Sequence, residues 1–169
     1  MALLLSKTLD RVTHALFFIG VCAGILMALM ILSSALLRYL AGAPLSFSDE
    51  LAGLLFVTLA FTTFPEVMLR SEHIKLSVLT DRFGPVLQRV CRFAAAIIFI
   101  TFAVVFIYES WNFTDFSRQI SSRTDVSGLL LWPWMALMPA SLGLCLLIEL
   151  RVLFRGLRGD WAGLMGGEQ

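Results

Sequence analysis

Few side chains in this 169-residue sequence are equipped for chemistry, and their spacing limits what that chemistry can be. The histidines are His14 and His73, and the cysteines are Cys22, Cys91 and Cys145. No Cys-x-x-Cys pair occurs and the number of cysteines is odd, so neither a dithiol motif nor a disulfide framework is indicated. Each cysteine falls in or beside an apolar run and reads as a small buried hydrophobe. Two histidines near one membrane face make bis-histidine haem ligation conceivable. Each also reads as an interfacial histidine at a helix end, and a visible absorption spectrum separates the two readings. Walker-type glycine loops, His-Glu-x-x-His and Gly-x-Ser-x-Gly are all absent from the sequence. No catalytic, cofactor-binding or metal-ligating set is therefore expected, and the chain reads as a non-enzyme.

The remaining polar candidates stand at helix ends. Ser48-Asp49-Glu50 opens a predicted helix, where Ser48 can cap and the carboxylates meet the positive end of the helix dipole. Alternatively Asp49 or Glu50 pairs with Arg38 or docks a partner, and these readings stay open. Glu66 lies sixteen residues after Glu50, about 24 Å further along the axis, which places it near the opposite interface. Arg70 follows Glu66 at i+4, the favourable order for an ion pair. Small residues recur at helix-packing spacing in Gly20, Gly24 and Ala28, and again in Ala136, Ala140 and Gly143. Either set could pack within the chain or against another protein.

These residues are positioned by elements that composition identifies. Apolar residues (AVILMFWYC) make up 59% of the chain and charged residues 15%, against about 45–50% and 25% in a soluble domain. Mean hydropathy is +0.87 and the net charge is +1, so neither a disordered chain nor a basic nucleic-acid surface is indicated. The charge-free runs 15–37 and 126–148 are each 23 residues long, enough to cross a hydrocarbon core of about 30 Å. Runs 51–65 and 93–108 become long enough with their flanks. The expected fold is an all-α integral membrane protein, one domain over 1–169 with spans about 13–38, 49–69, 87–113 and 126–150 and a short tail over 151–169. The first run exceeds the about 7–15 residues of a signal-peptide core and reads as an uncleaved helix.

Orientation follows from the basic residues. The N-terminus, the connector between spans 2 and 3 and the C-terminal tail carry ten Lys and Arg, whereas Arg38, Arg118 and Arg123 are the three on the other side. Both termini should therefore be cytoplasmic. Leu5, Leu9 and Val12 share one face of the N-terminal segment, as in a short amphipathic helix lying in the interface. Gly84-Pro85 breaks the chain, and Pro85 suits the first turn of the third helix. Trp111, Trp132 and Trp134 fall where an aromatic belt is expected.

Taken in order, Arg38-Tyr39, Gly42-Ala43-Pro44, Asp49-Glu50-Leu51, Arg70-Ser71-Glu72-His73-Ile74, Asp81-Arg82-Phe83-Gly84-Pro85 and Leu131-Trp132-Pro133-Trp134 with Pro139 and Gly143 resemble the DctQ-like small membrane subunit of tripartite ATP-independent periplasmic (TRAP) transporters. The resemblance covers about residues 8–158. Two departures stand out: Ser48 where many relatives carry Trp, and Pro65-Glu66 inside the second helix. The resemblance implies a bacterial inner-membrane scaffold, without cofactor or nucleic-acid partner, that clasps a large elevator-type membrane subunit. That larger subunit would hold the substrate and sodium sites, and a periplasmic binding protein would deliver the solute, often an organic acid. In that setting Arg38, Asp49 and Glu50 are candidate partner-docking residues, while Glu66, Arg70 and His73 are read from their spacing and position as structural or interface residues. The competing readings are a self-sufficient homo-oligomeric exporter, for which Glu66 is the carboxylate to mutate, a haem protein, and an anchor for some other complex. The four apolar runs carry no charge, which independently disfavours this chain as a solute conduit.

Overall fold

A computed structural model of the chain describes residues 2–42, 45–71 and 85–157. All the regular elements among them are helices: α1 (Ala2–Ala41), α2 (Ser48–Ser71), α3 (Pro85–Gln119), the one-turn α4 (Trp132–Met135) and α5 (Leu137–Leu157). Four stretches are long and apolar enough to cross a bilayer, Thr8–Ala41, Ser48–Arg70, Val90–Gln119 and Trp132–Phe154. The all-α, four-span architecture expected from composition is the one the chain adopts.

The N-terminal amphipathic segment is not a separate interfacial helix. It continues into the first span as one helix of 40 residues, about 60 Å long and twice the hydrocarbon thickness. No Gly or Pro interrupts residues 2–19, so the backbone has no reason to turn at the interface. Helix α3 is likewise long, with 35 residues, and begins at Pro85, whose missing N–H is unneeded in a first turn. It runs past the apolar run to Gln119 with three hydroxyl side chains turned inward and Glu109, Asn112, Asp115 and Arg118 exposed. Ser110, Thr114 and Ser117 are buried, and the first two hydroxyls donate to the carbonyls of Phe106 at 2.6 Å and Ser110 at 2.7 Å. Polar side chains satisfied on their own helix in this way are tolerated inside a membrane protein.

The fourth span begins at Trp132 rather than near 126. Residues 122–131 form a tight loop closed by a single antiparallel bridge between Arg123 and Leu130, with Gly128 at φ +65°, a conformation that glycine adopts without Cβ strain. Helices α4 and α5 separate at Ala136, where Pro139 has no N–H for the Met135 carbonyl. The ladder resumes with the Ala140 N–H on the Ala136 oxygen at 3.3 Å.

The helices stand in a row rather than a closed bundle. Helix α1 packs on α2, α2 on α5, and α5 on α3. The inner spans, from α2 and from α4–α5, have 33% of their most apolar window buried, whereas those of α1 and α3 have 11%. The interior is correspondingly thin, with Leu54 and Leu55 of α2, Ala96 and Ala103 of α3, and Cys145 and Ile148 of α5 buried within it.

Close approach of α1 to α2 depends on Gly20. A Cβ at that position would lie 2.5 Å from Thr62 Oγ1 and 2.8 Å from Thr63 Cγ2, so a side chain there forces the helices apart. A Cβ on Gly24 would lie 3.3 Å from Leu59 Cδ2, a tight contact that the leucine side chain must yield to, while Ala28 is exposed. On the last span, Ala140 is exposed and a Cβ on Gly143 would meet nothing within 4 Å. Gly20 and Gly24 of the first span therefore serve an internal interface, and Ala28, Ala140 and Gly143 do not.

Candidate functional site

Polar side chains gather at the two ends of the helix row. At the α2 N-terminal end, the Ser48 hydroxyl donates to the Leu45 carbonyl at 2.8 Å and meets Ser34 of α1 at 2.9 Å. It thus closes the α1–α2 turn and ties the two helices together, and its bonds go backward in the chain rather than forward as a capping residue's would. Asp49 is exposed, and among the described residues it has only a long contact of 3.4 Å to Ser48. Arg38 is exposed too, and among the described residues no ion pair joins it to Asp49 or Glu50.

Glu50 does something that neither capping nor pairing anticipates. Its Oε1 accepts the Val126 N–H at 2.8 Å, and its Oε2 accepts the Ser127 N–H at 2.9 Å and the Ser127 hydroxyl at 2.6 Å. A carboxylate receiving two successive backbone N–H groups and a hydroxyl is strongly bound, because each bond is charge-assisted. The loop it grips is self-supporting. Thr124 accepts the Gly128 N–H on its carbonyl at 3.2 Å, and its own N–H donates to the Leu129 carbonyl at 2.9 Å. Arg123 Nη1 donates to the Gly128 carbonyl at 3.2 Å. The loop sits next to the Trp132 ring, which lies beneath the Arg118 guanidinium at 5.8 Å, a cation–π distance. The Glu50 bonds cross about 77 residues of sequence. The polar run Ser127-Gly128 inside an otherwise apolar stretch was the one local sign that a loop, not a helix, would need a partner there.

At the α2 C-terminal end, Glu66 is almost fully buried while Arg70 and His14 are more than half exposed. Arg70 Nε donates to Glu66 Oε1 at 3.0 Å, and His14 Nδ1 lies 3.4 Å from the same oxygen. Glu66 Oε2 has no partner among the described residues. The Arg70 guanidinium also rests over the Phe17 ring of α1 at 5.6 Å, and His14 meets Phe18 edge-on at 5.2 Å. Beside them Arg151 Nη1 of α5 donates to Asp10 Oδ1 of α1 at 3.3 Å, so the two helices flanking α2 are bridged at this end. The Glu66–Arg70 spacing was legible in the sequence. The His14, Phe17 and Asp10–Arg151 contacts were not, because each joins helices whose lateral order no sequence pattern states.

His73 lies outside the described residues, so the two-histidine arrangement cannot be placed; His14 itself faces Glu66. Among the described residues no group of three or more His, Cys, Asp and Glu is placed to hold a metal ion. Cys145 is buried, whereas Cys22 and Cys91 are exposed on the outer helices α1 and α3, which corrects the expectation that all three are buried. They lie on the outer sides of the row, which a four-span count does not specify.

Residues 27–159 match the family described as the DctQ component of tripartite ATP-independent periplasmic transporters. The chain is also similar to a Haemophilus influenzae protein that carries the provisional name of a TRAP transporter small permease protein. The two are 24% identical over 104 residues, which is 62% of this chain and 63% of that one. With the family match extending over most of the sequence, from within the first span to beyond the fourth, the chain belongs to the DctQ component family of the tripartite ATP-independent periplasmic transporters.

Proposed function

We propose that this chain is the non-catalytic small membrane subunit of a bacterial inner-membrane TRAP transporter, holding a large elevator-type subunit steady while that subunit carries the solute. The observation that carries the reading is the open row of helices. A closed bundle hides its apolar surface from neighbours, whereas this row covers each long outer helix on one face and leaves most of its apolar surface open. In lipid, association is driven by packing between such faces rather than by water exclusion, so a broad, thin layer is suited to lie along a larger membrane protein. Helices of about 52–60 Å extend beyond the hydrocarbon core and would resist tilting of whatever they flank.

In this reading both termini are cytoplasmic, and the loop over 122–131, with Arg38, Asp49 and Glu50, faces the periplasm. Arg38 and Asp49 have exposed charges available to a periplasmic binding protein. Glu50 would contribute through the loop it holds. Transport would be ion-coupled, with sodium and an organic acid as the coupled pair. The solute and ion sites would then lie on the large subunit.

The test is mild-detergent affinity purification of the full chain from its native membranes, with the mass of co-purifying proteins determined. A stoichiometric, much larger multi-span partner is the expected result. A homo-oligomer with nothing else bound, reproduced in gentler extraction, would overturn the scaffold reading.

A further inference from the structure

The cluster around Arg70 has features that an ordinary interfacial ion pair does not need. The guanidinium is fixed from two directions, by Glu66 Oε1 on its Nε at 3.0 Å and by the Phe17 ring 5.6 Å from its Cζ. That grip leaves both Nη groups without a protein acceptor among the described residues, on a side chain 62% exposed. An arginine fixed in this way presents a planar fork suited to two oxygens of a phosphate group.

The surroundings match that geometry. Arg11, His14 and Phe18 stand at i, i+3 and i+7 on α1 and share a face, and all three are exposed. Arg151 of α5 borders the same patch through Asp10. Arg70 and His14 both face Glu66 and Arg151 faces Asp10, so with Arg11 also exposed on α1 this end of the molecule carries three arginines and His14 against two carboxylates, and the excess charge is positive. Arg70 is the last residue of a 23-residue span of about 35 Å, which places its guanidinium at headgroup level. Phe18, one residue further into the span than the Phe17 that holds Arg70, stands edge-on to His14 at 5.2 Å with its ring exposed, an apolar surface on which an acyl chain can rest.

We propose that Arg70, held by Glu66 and Phe17 and with His14 beside it on the same carboxylate, binds the phosphate of an anionic phospholipid at the end of the α1–α2 pair. The chemistry recognised is a phosphate monoanion, and the source is the lipid headgroup, because the fork stands at headgroup depth above an apolar ring. Glu66 acts here as a positioning residue: it fixes the arginine fork and does not itself touch the lipid.

The test is native mass spectrometry of the full chain, with its co-purifying proteins, released from micelles containing equal phosphatidylglycerol and phosphatidylcholine. The wild type should retain phosphatidylglycerol selectively, and Arg70→Gln should lower that retention roughly tenfold, the scale of a lost charge-assisted pair. Arg70→Lys keeps the charge but lacks the planar fork, and it should fall nearly as far. Arg118→Gln removes an equal charge near the far end of α3 and should retain lipid as the wild type does. Helicity and thermal midpoint confirm that each variant is folded, and Arg11→Gln with His14→Gln provides a second variant that leaves the Glu66–Arg70 pair intact. Full retention by Arg70→Lys would reduce the patch to unstructured charge attraction and overturn the proposal. So would displacement of the lipid by millimolar inorganic phosphate, which would make this a site for the free anion. Unchanged lipid retention with release of a co-purifying protein from Arg70→Gln would assign the patch to a protein partner instead, also overturning it.

Discussion

Two carboxylates on one helix, sixteen residues apart, illustrate how differently the same side chain is used. Glu50 stands at the start of α2 and holds a distant loop by three hydrogen bonds, while Glu66 near its end is buried beneath Arg70 and His14. Replacing Glu50 with Ala frees the Val126 and Ser127 N–H groups, and the loop should open more often. Tryptic cleavage after Arg123 and hydrogen exchange at those two amides should both accelerate severalfold, with Glu50→Gln intermediate because one oxygen still accepts. Cleavage unchanged in Glu50→Ala would mean that the turn around Thr124 alone keeps the loop closed. The sequence showed Glu50 as a helix-end acid that could cap, pair with Arg38 or dock a partner, but not the loop it holds, since that loop lies in a stretch that hydropathy assigns to a span.

At the scale of the helices, the α1–α2 pair is held by steric fit and the rest of the row by thinner contacts. Gly20→Val places atoms where Thr62 and Thr63 already stand. It should cost about 1–3 kcal/mol, as overpacking of a tight interface does, and lower the thermal midpoint in detergent. Gly143→Ala, on a face with nothing within 4 Å, should leave the midpoint unchanged. The two glycines look alike in sequence, because a small-residue spacing marks a face without naming what lies opposite. A double-mutant cycle on Asp10→Asn and Arg151→Gln should give a coupling of about 0.2–1 kcal/mol, since both side chains keep substantial exposure and such pairs are weak. A larger value would show that this bridge, rather than α2, carries the attachment of α1 to α5.

Across the whole molecule, the row of four spans predicts where each end meets water. In a chain with Cys22, Cys91 and Cys145 replaced by Ala, a single cysteine introduced as Val126→Cys should react with a membrane-impermeant maleimide added outside intact cells. A cysteine introduced at Lys7 should react only after lysis. Reversed labelling would overturn the orientation read from ten basic residues against three.

Composition and run length alone determined that this is a four-span helical membrane protein, because lipid admits few ways to satisfy a backbone and apolar runs of this length have one. The ordered motifs from Arg38 to Gly143 were enough to indicate the transporter family. Local pattern also suggested the Glu66–Arg70 pair, whose partners share one helix turn. Only the tertiary structure decided the lateral order α1–α2–α5–α3, the Glu50 grip on residues 126 and 127, and the meeting of His14, Phe17 and Arg70. Helix order in a membrane depends on side-chain fit between surfaces that are equally apolar, and hydrophobic periodicity is nearly silent where lipid and protein interior offer the same solvent. Contacts between residues tens of positions apart inherit that silence, which is why the ends of this molecule, and not its spans, had to be seen to be understood.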